Sequence, residues 1–372
     1  MLNYTNRYIF ILFATLILYT AYSIIWPVFG LRVTLIIQTL LLLLVCIGAV
    51  KYLIASPRSK NSWATWLFVV WITQALAYVL GKSGATTQFK EATFVLLATL
   101  PFISQSYNSK KAKYYFYLIT VVSIIVFIIN FTMMRQVDEN SYGGGYFALI
   151  ALPVLLYFTK NKSLYVQLFI SLSIFLMVLM SMKRGDILAC ILAVVAYYFV
   201  ILKSSSSKYK ILFLLIILVV AGYFIFRYML NTSELFALRY EQTLEGDTSG
   251  RDEIFSSLLH HFRNSPLELK LFGHGFDGTL ILVGCRAHSD LLEILLCEGI
   301  IGVTIYLCAF FSLLRQTIRV RGRAEKAVLS SILMIWLVKM IFSMFIFSQA
   351  SIVILVLAAY ILNNNLGRQY EY

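Results

Sequence analysis

Arg286-Ala287-His288-Ser289-Asp290-Leu291-Leu292-Glu293 leads into an apolar run that carries Cys297-Glu298-Gly299-Ile300-Ile301-Gly302. Here a polar segment holding all four histidines gives way to a stretch long enough to cross a bilayer. About 20 apolar residues span the hydrocarbon core, and such stretches recur along the 372 residues. The chain is 60% hydrophobic and only 13% charged, whereas a soluble domain carries about 25% charged residues. The sequence therefore implies an all-α polytopic membrane protein.

About twelve transmembrane helices are expected, roughly over 8–27, 31–54, 63–81, 91–107, 114–134, 146–159, 163–181, 185–202, 210–229, 289–314, 326–346 and 349–364. They divide the chain into helices 1–9 over residues 1–229, one large outward-facing (periplasmic) loop over 230–288, and helices 10–12 with a short cytoplasmic tail over 289–372. The run after Arg7 is long for a signal peptide and reads as an uncleaved first span. A very tight turn near Ser348 is expected between the last two spans. The five cysteines give no disulfide framework, and no Cys-x-x-Cys or His/Cys cluster suggests a metal site. No cofactor is expected.

Basic residues set the orientation. With the N-terminus inside, the even-numbered connections are cytoplasmic. They hold Lys51, Arg58 and Lys60; Lys110, Lys111 and Lys113; Lys160 and Lys162; Lys203, Lys208 and Lys210; and Arg315, Arg319, Arg321, Arg323 and Lys326. This is a positive-inside pattern. It accounts for the net charge of +14 without a nucleic-acid partner. It also puts the short connection 181–186 and the loop 230–288 outside.

Within that loop, Ser249 is expected to cap a helix that begins near Arg251, with Asp252 close to a capping-box position. Ile254, Phe255, Leu258, Leu259 and Phe262 share one helical face, and Asn264-Ser265-Pro266 ends the pattern. This reads as an amphipathic helix lying on the outer membrane face. A second helix starts at Ser289, with Asp290 and Glu293 in its first turn, where negative charge suits the helix dipole.

Several residues could do chemistry. Lys183-Arg184 sits outside, against the positive-inside tendency, and an arginine presents a fixed fork that grips phosphate. The bland alternative is a solvated turn or a snorkelling side chain. Arg251 is one of several loop cations, and its position alone favours a surface charge. His288 stands at a helix N-terminus, which disfavours the imidazolium and leaves a ring able to act as a general base; the same helix end could bind an anion. Gly273-His274-Gly275 reads first as a turn. Glu298 and Lys339 lie roughly 13 Å and 12 Å into their helices by helical rise. Charges at such depth seek partners, and the two are expected to be neighbours.

In order, Arg184-Gly185, Arg251, Leu271-Phe272-Gly273-His274-Gly275, His288, Leu292, Glu298-Gly299 and Gly302 resemble the O-antigen polymerase and O-antigen ligase superfamily. The resemblance covers roughly 163–316. This chain has Ser289 where the family often has asparagine, and Phe255 where it often has tryptophan. The resemblance implies a metal-independent glycosyltransferase at the periplasmic face of the bacterial inner membrane. It implies an undecaprenyl-diphosphate-linked oligosaccharide as substrate, with membrane lipids and a chain-length regulator protein as partners. His288, Arg184 and Arg251 would be the catalytic residues. Lys183, Arg286, Arg263, Lys270, His274, Glu298 and Lys339 would contact substrate. A polymerase is favoured over the ligase, because Arg286, Arg263 and Lys270 could form a second basic cluster for a lipid-diphosphate acceptor. A transporter would show similar halves and broken helices, and the sequence displays neither.

Overall fold

The computed structural model describes residues 2–54, 61–81, 86–104, 109–137, 144–181, 183–202 and 250–367, with scattered positions between 209 and 241. Most of the expected ninth span and most of 230–249 lie outside the described residues. Among the described residues the secondary structure is helical throughout: α1 (Leu2–Thr20), α2 (Tyr22–Ile54), α3 (Ser62–Leu80), α4 (Thr86–Leu97), α5 (Thr99–Ser104), α6 (Ser109–Val137), α7 (Gly145–Leu149), α8 (Ala151–Phe158), α9 (Leu164–Met180), α10 (Arg184–Leu202), α11 (Arg251–Asn264), α12 (Leu267–Phe272), α13 (Gly278–Val283), α14 (Asp290–Arg319), α15 (Arg323–Phe342) and α16 (Ser351–Gly367). Five of these helices contain a stretch long and apolar enough to cross a membrane: Val33–Ile54, Ser62–Leu80, Lys110–Thr132, Arg184–Leu202 and Asp290–Arg319.

Several expected boundaries move. The first break falls at Ala21 rather than near residue 28. The expected spans over 91–107 and 146–159 are each divided, at Ala98 and at Ile150. The turn near Ser348 is not tight. Residues 343–350 separate α15 from α16, and Phe345 and Ile346 within them are buried.

The chain forms two compact units. The first comprises Met1–Tyr115, Gly250–Val320 and Trp336–Tyr372; the second comprises Phe116–Ser249 and Arg321–Ile335. In the first, α3 and α14 run antiparallel. At one end Asn61 caps α3 by accepting from the Trp63 N–H at 2.9 Å. The Asn61 and Gln316 amides also exchange two hydrogen bonds, of 2.8 and 2.5 Å. The Tyr52 hydroxyl donates to the Asn61 carbonyl at 3.1 Å. The ends of α2, α3 and α14 that the charge pattern assigns to one side therefore do meet. In the second unit α9 packs against α7, α8 and α10, and Lys160 pairs with Glu325.

The helix after residue 250 corrects one expectation, its cap. Its cap position is Gly250, in the left-handed region at φ 73° and with no side-chain cap, rather than Ser249. Part of its apolar face is covered by protein. Leu258 is fully buried with Ala287 and Leu296, and Ile254 and Phe262 pack around them. Leu259 on the same helix stays exposed, so α11 docks onto α13 and α14 through part of its apolar face.

Candidate active site

The site is built on α14, which is broken. Gly299 has φ 71° and ψ −167°, far from helical values. A break inside a helix frees carbonyls, and an unpaired buried one costs about 1–3 kcal/mol. Here the loop after α12 fills the gap. The His274 N–H donates to the Leu296 carbonyl at 2.8 Å, and the Gly275 N–H to the Cys297 carbonyl at 3.0 Å. The next amide, Phe276, donates to the Ala77 carbonyl of α3 at 2.9 Å. The two backbones touch. A β-carbon at Gly299 would lie 2.3 Å from the Leu271 carbonyl oxygen, and one at Gly273 would lie 2.3 Å from the Cys297 carbonyl carbon. This explains why Leu-Phe-Gly-x-Gly and Glu-Gly-x-x-Gly occur in one chain: they are two halves of one joint. A broken helix is thus present where the sequence displayed none, and that argument against a transporter falls. Two of its freed carbonyls, those of Leu296 and Cys297, are bonded by the loop.

The break also revises the depth of Glu298. Residues 299–319 alone extend about 31 Å at helical rise, enough to cross the hydrocarbon core. The first part of α14, with Glu298, then need not lie at depth. Glu298 is buried and faced by Thr73 and Gln74 of α3. Its pairing with Lys339, expected from equal depth, is not what surrounds it. Lys339 is itself buried in α15.

At the start of α14 the chain turns a corner. His288 is exposed and has φ 49°, a left-handed conformation costing a residue with a β-carbon about 1–3 kcal/mol. The Ser289 hydroxyl does not cap α14; it donates to the Met340 carbonyl at 3.2 Å. The Asp290 N–H donates to the Ser343 carbonyl at 3.2 Å. Arg251 Nη1 donates to the Phe342 carbonyl at 2.9 Å. The residues beside His288 and the Arg251 guanidinium are thus fastened to the same four positions, 340–343, where α15 ends. Cations suit a helix C-terminus, which explains why Arg251 settles there.

Two carboxylates in the first turn hold this corner. Asp290 is fully buried and accepts from the Tyr306 hydroxyl at 2.6 Å and from the Phe345 and Ile346 N–H groups at 2.9 and 3.2 Å. Tyr306 in turn accepts from Trp336 Nε1 at 2.7 Å. Glu293 accepts from the Thr279 hydroxyl at 2.7 Å and from the Ala287 N–H at 3.0 Å. The helix end that the sequence offered to an anion is thus flanked by two buried acids, with its first amide already bonded. Sequence reasoning placed these acids by dipole alone. The available signal was that both stand at the mouth of an apolar run.

The remaining candidates divide. Arg286 turns inward, 3.0 Å from Asp277 and 3.6 Å from Glu293, so its fork is engaged by protein carboxylates. Arg263 and Lys270 lie on α11 and α12, Arg263 exposed and Lys270 half-buried. Arg286 is therefore committed to protein carboxylates, not free for a phosphate as the expected cluster would have it. His274 lies 3.1 Å from the Ser265 hydroxyl. Burial, then the neighbouring His261, push its pKa down, which favours a neutral ring that orders the loop. In the second unit Lys183 and Arg184 are exposed at the start of α10. Asp186 beside them is buried. A β-carbon at Gly145 would lie 2.2 Å from the Ser181 hydroxyl and 2.8 Å from Asp186 Oδ2. Gly145 therefore lets α7 settle against the turn that carries Arg184.

Residues 168–307 match the family model described as O-antigen ligase. Over that segment the chain is similar to the O-antigen polymerase and ligase superfamily, in agreement with the motif order read from the sequence. The matched segment includes Arg184, Arg251, His288, both halves of the Gly299 joint and the buried pair Asp290 and Glu293. Lys339 and the end of α15 lie beyond it. That similarity supports a glycosyltransferase-like enzyme in general, and the apolar helices suggest a multi-pass membrane protein. No curated protein matches the chain.

Proposed function

We propose that the protein polymerises O-antigen or a related surface polysaccharide. It would transfer a growing glycan from undecaprenyl diphosphate to a sugar hydroxyl of a lipid-linked repeat unit, at the periplasmic face of the inner membrane. The observation that carries this reading is that Arg251 and the His288 corner, both inside the segment that matches the family, are fastened to one end of α15. The departing diphosphate gains negative charge as the glycosidic bond breaks. A preorganised arginine stabilises such charge; Arg251 takes that role. His288 orients or deprotonates the acceptor hydroxyl. The strained backbone at His288 supports this assignment, since residues held in sparsely populated conformations cluster at functional sites.

Lipopolysaccharide from a deletion strain tests the proposal on a gel. Loss of a polymerase leaves core carrying one repeat unit. Loss of the superfamily's ligase activity, transfer of the finished glycan to lipid A–core, would leave bare core and accumulate lipid-linked polymer. An unchanged ladder overturns both.

A further inference from the structure

We infer that Glu293 is a positioning residue: together with Arg286 and Asp277 it holds the chain ahead of His288, so that the imidazole keeps its corner geometry. The inference rests on the catalytic reading of His288 given above. A residue with a β-carbon stays at φ 49° only when its surroundings impose that backbone. Both neighbours of His288 are pinned. On the far side are the bonds of Ser289 and Asp290 to the end of α15. On the near side Ala287 is fully buried, and its N–H is held by Glu293 Oε2 at 3.0 Å.

The same carboxylate gathers the rest of that side. Its Oε1 accepts from the Thr279 hydroxyl at 2.7 Å and lies 3.6 Å from Arg286 Nη1. Arg286 Nη2 then reaches Asp277 at 3.0 Å. Asp277 is itself in the left-handed region, at φ 63°. One side chain thus ties the first turn of α13, the segment 284–287 and the first turn of α14 into a single block that ends at His288. Glu293 is 2% exposed, so it cannot touch a sugar or a diphosphate. Its influence must pass through backbone position.

A purely structural Glu293 and a positioning Glu293 predict different kinetics. The protein is purified in lipid and supplied with lipid-linked repeat units extracted from a strain that lacks it. The rate is followed for Glu293→Gln, His288→Ala and the double variant. Misplacement by about an ångström costs up to about 100-fold in rate. We therefore expect Glu293→Gln to lower kcat by roughly 10- to 100-fold, with the KM for the lipid-linked donor within about threefold of wild type. Residues that act as a unit do not add, so the double variant should be no slower than His288→Ala alone. Losses that multiply would overturn the inference while leaving the catalytic reading intact. A fully active His288→Ala would sink that reading, and the inference with it. Thr279→Val removes one tie while sparing the buried charges, and it carries the test should Glu293→Gln fail to accumulate. Its smaller loss should vanish in the His288→Ala background, and a loss that persists there overturns the positioning role.

Discussion

Helix α14 has two joints, and they are made differently. At Gly299 the chain is interrupted, and the gap is closed by backbone alone: two carbonyls, two amides and two glycines in contact. At its N-terminus the chain is held by side chains, with Asp290 and Glu293 each gathering several donors. A backbone joint has no spare volume and no chemical substitute. A carboxylate joint keeps its shape under isosteric exchange but loses its charge and part of its accepting capacity. The first should therefore fail as folding, and the second as activity or local stability.

The comparison breaks most sharply at Gly299. Gly299→Ala adds the strain of a left-handed residue, about 1–3 kcal/mol, to a 2.3 Å contact with the Leu271 carbonyl. We expect most of the folded protein to be lost, read as the monodisperse peak in detergent gel filtration. A normal peak would mean that the joint is loose. Next comes the exposed corner. His288→Ala should lose about 10²- to 10⁴-fold in transfer rate at normal protein level. His288→Gln should be nearly as poor if the ring takes up a proton, whereas a rate near wild type for glutamine would make the role one of orientation. Arg184→Lys and Arg251→Lys should each lose about 10- to 100-fold, the equivalent of one charged hydrogen bond of about 1.5–3 kcal/mol. A wild-type glycan ladder from either variant removes that arginine from the proposed chemistry.

Asp290→Asn sharpens the other side of the comparison. Asparagine offers one acceptor where Asp290 serves three donors, so a lower melting temperature is expected, corresponding to about 1–3 kcal/mol. An unshifted transition would show that the corner does not depend on that carboxylate. The smallest effect concerns sidedness. Cys285 is half-buried, and an impermeant thiol reagent should label it slowly in intact spheroplasts without loss of activity. Labelling only after lysis would reverse the orientation read from the charge pattern.

Much of the local framework was legible. Pro266 ended α11 as its side chain requires, and Ser289 marked the start of α14. The joints were not legible, for different reasons. A lone glycine inside an apolar helical pattern reads as tolerated, and Gly299 declares itself only through the Leu271 backbone lying against it. Arg286 looked like a substrate cation because its two partners, Asp277 and Glu293, are brought to it by the fold rather than by helical spacing. The expected pairing of Glu298 with Lys339 rested on equal depth alone, and depth does not fix which way a side chain turns. Arg251 and His288 were legible as residues, but their common anchor at the end of α15 was not.

The paired amides of Asn61 and Gln316 have a consequence for how the chain is made. They are 255 positions apart, and synthesis proceeds at about 5–20 residues per second. For roughly 10–50 s after α3 leaves the ribosome, the far member of the pair does not exist. The Ala77 carbonyl at the other end of α3 is already bonded by the Gly81 N–H at 2.8 Å and takes on Phe276 later. Helix α3 must therefore enter the bilayer with the Asn61 end provisionally satisfied, by water, lipid headgroups or the insertion machinery. The loop that bridges the Gly299 break is also synthesised before the helix it completes. Assembly of the active site is thus a late event in biogenesis, set by the arrival of α14.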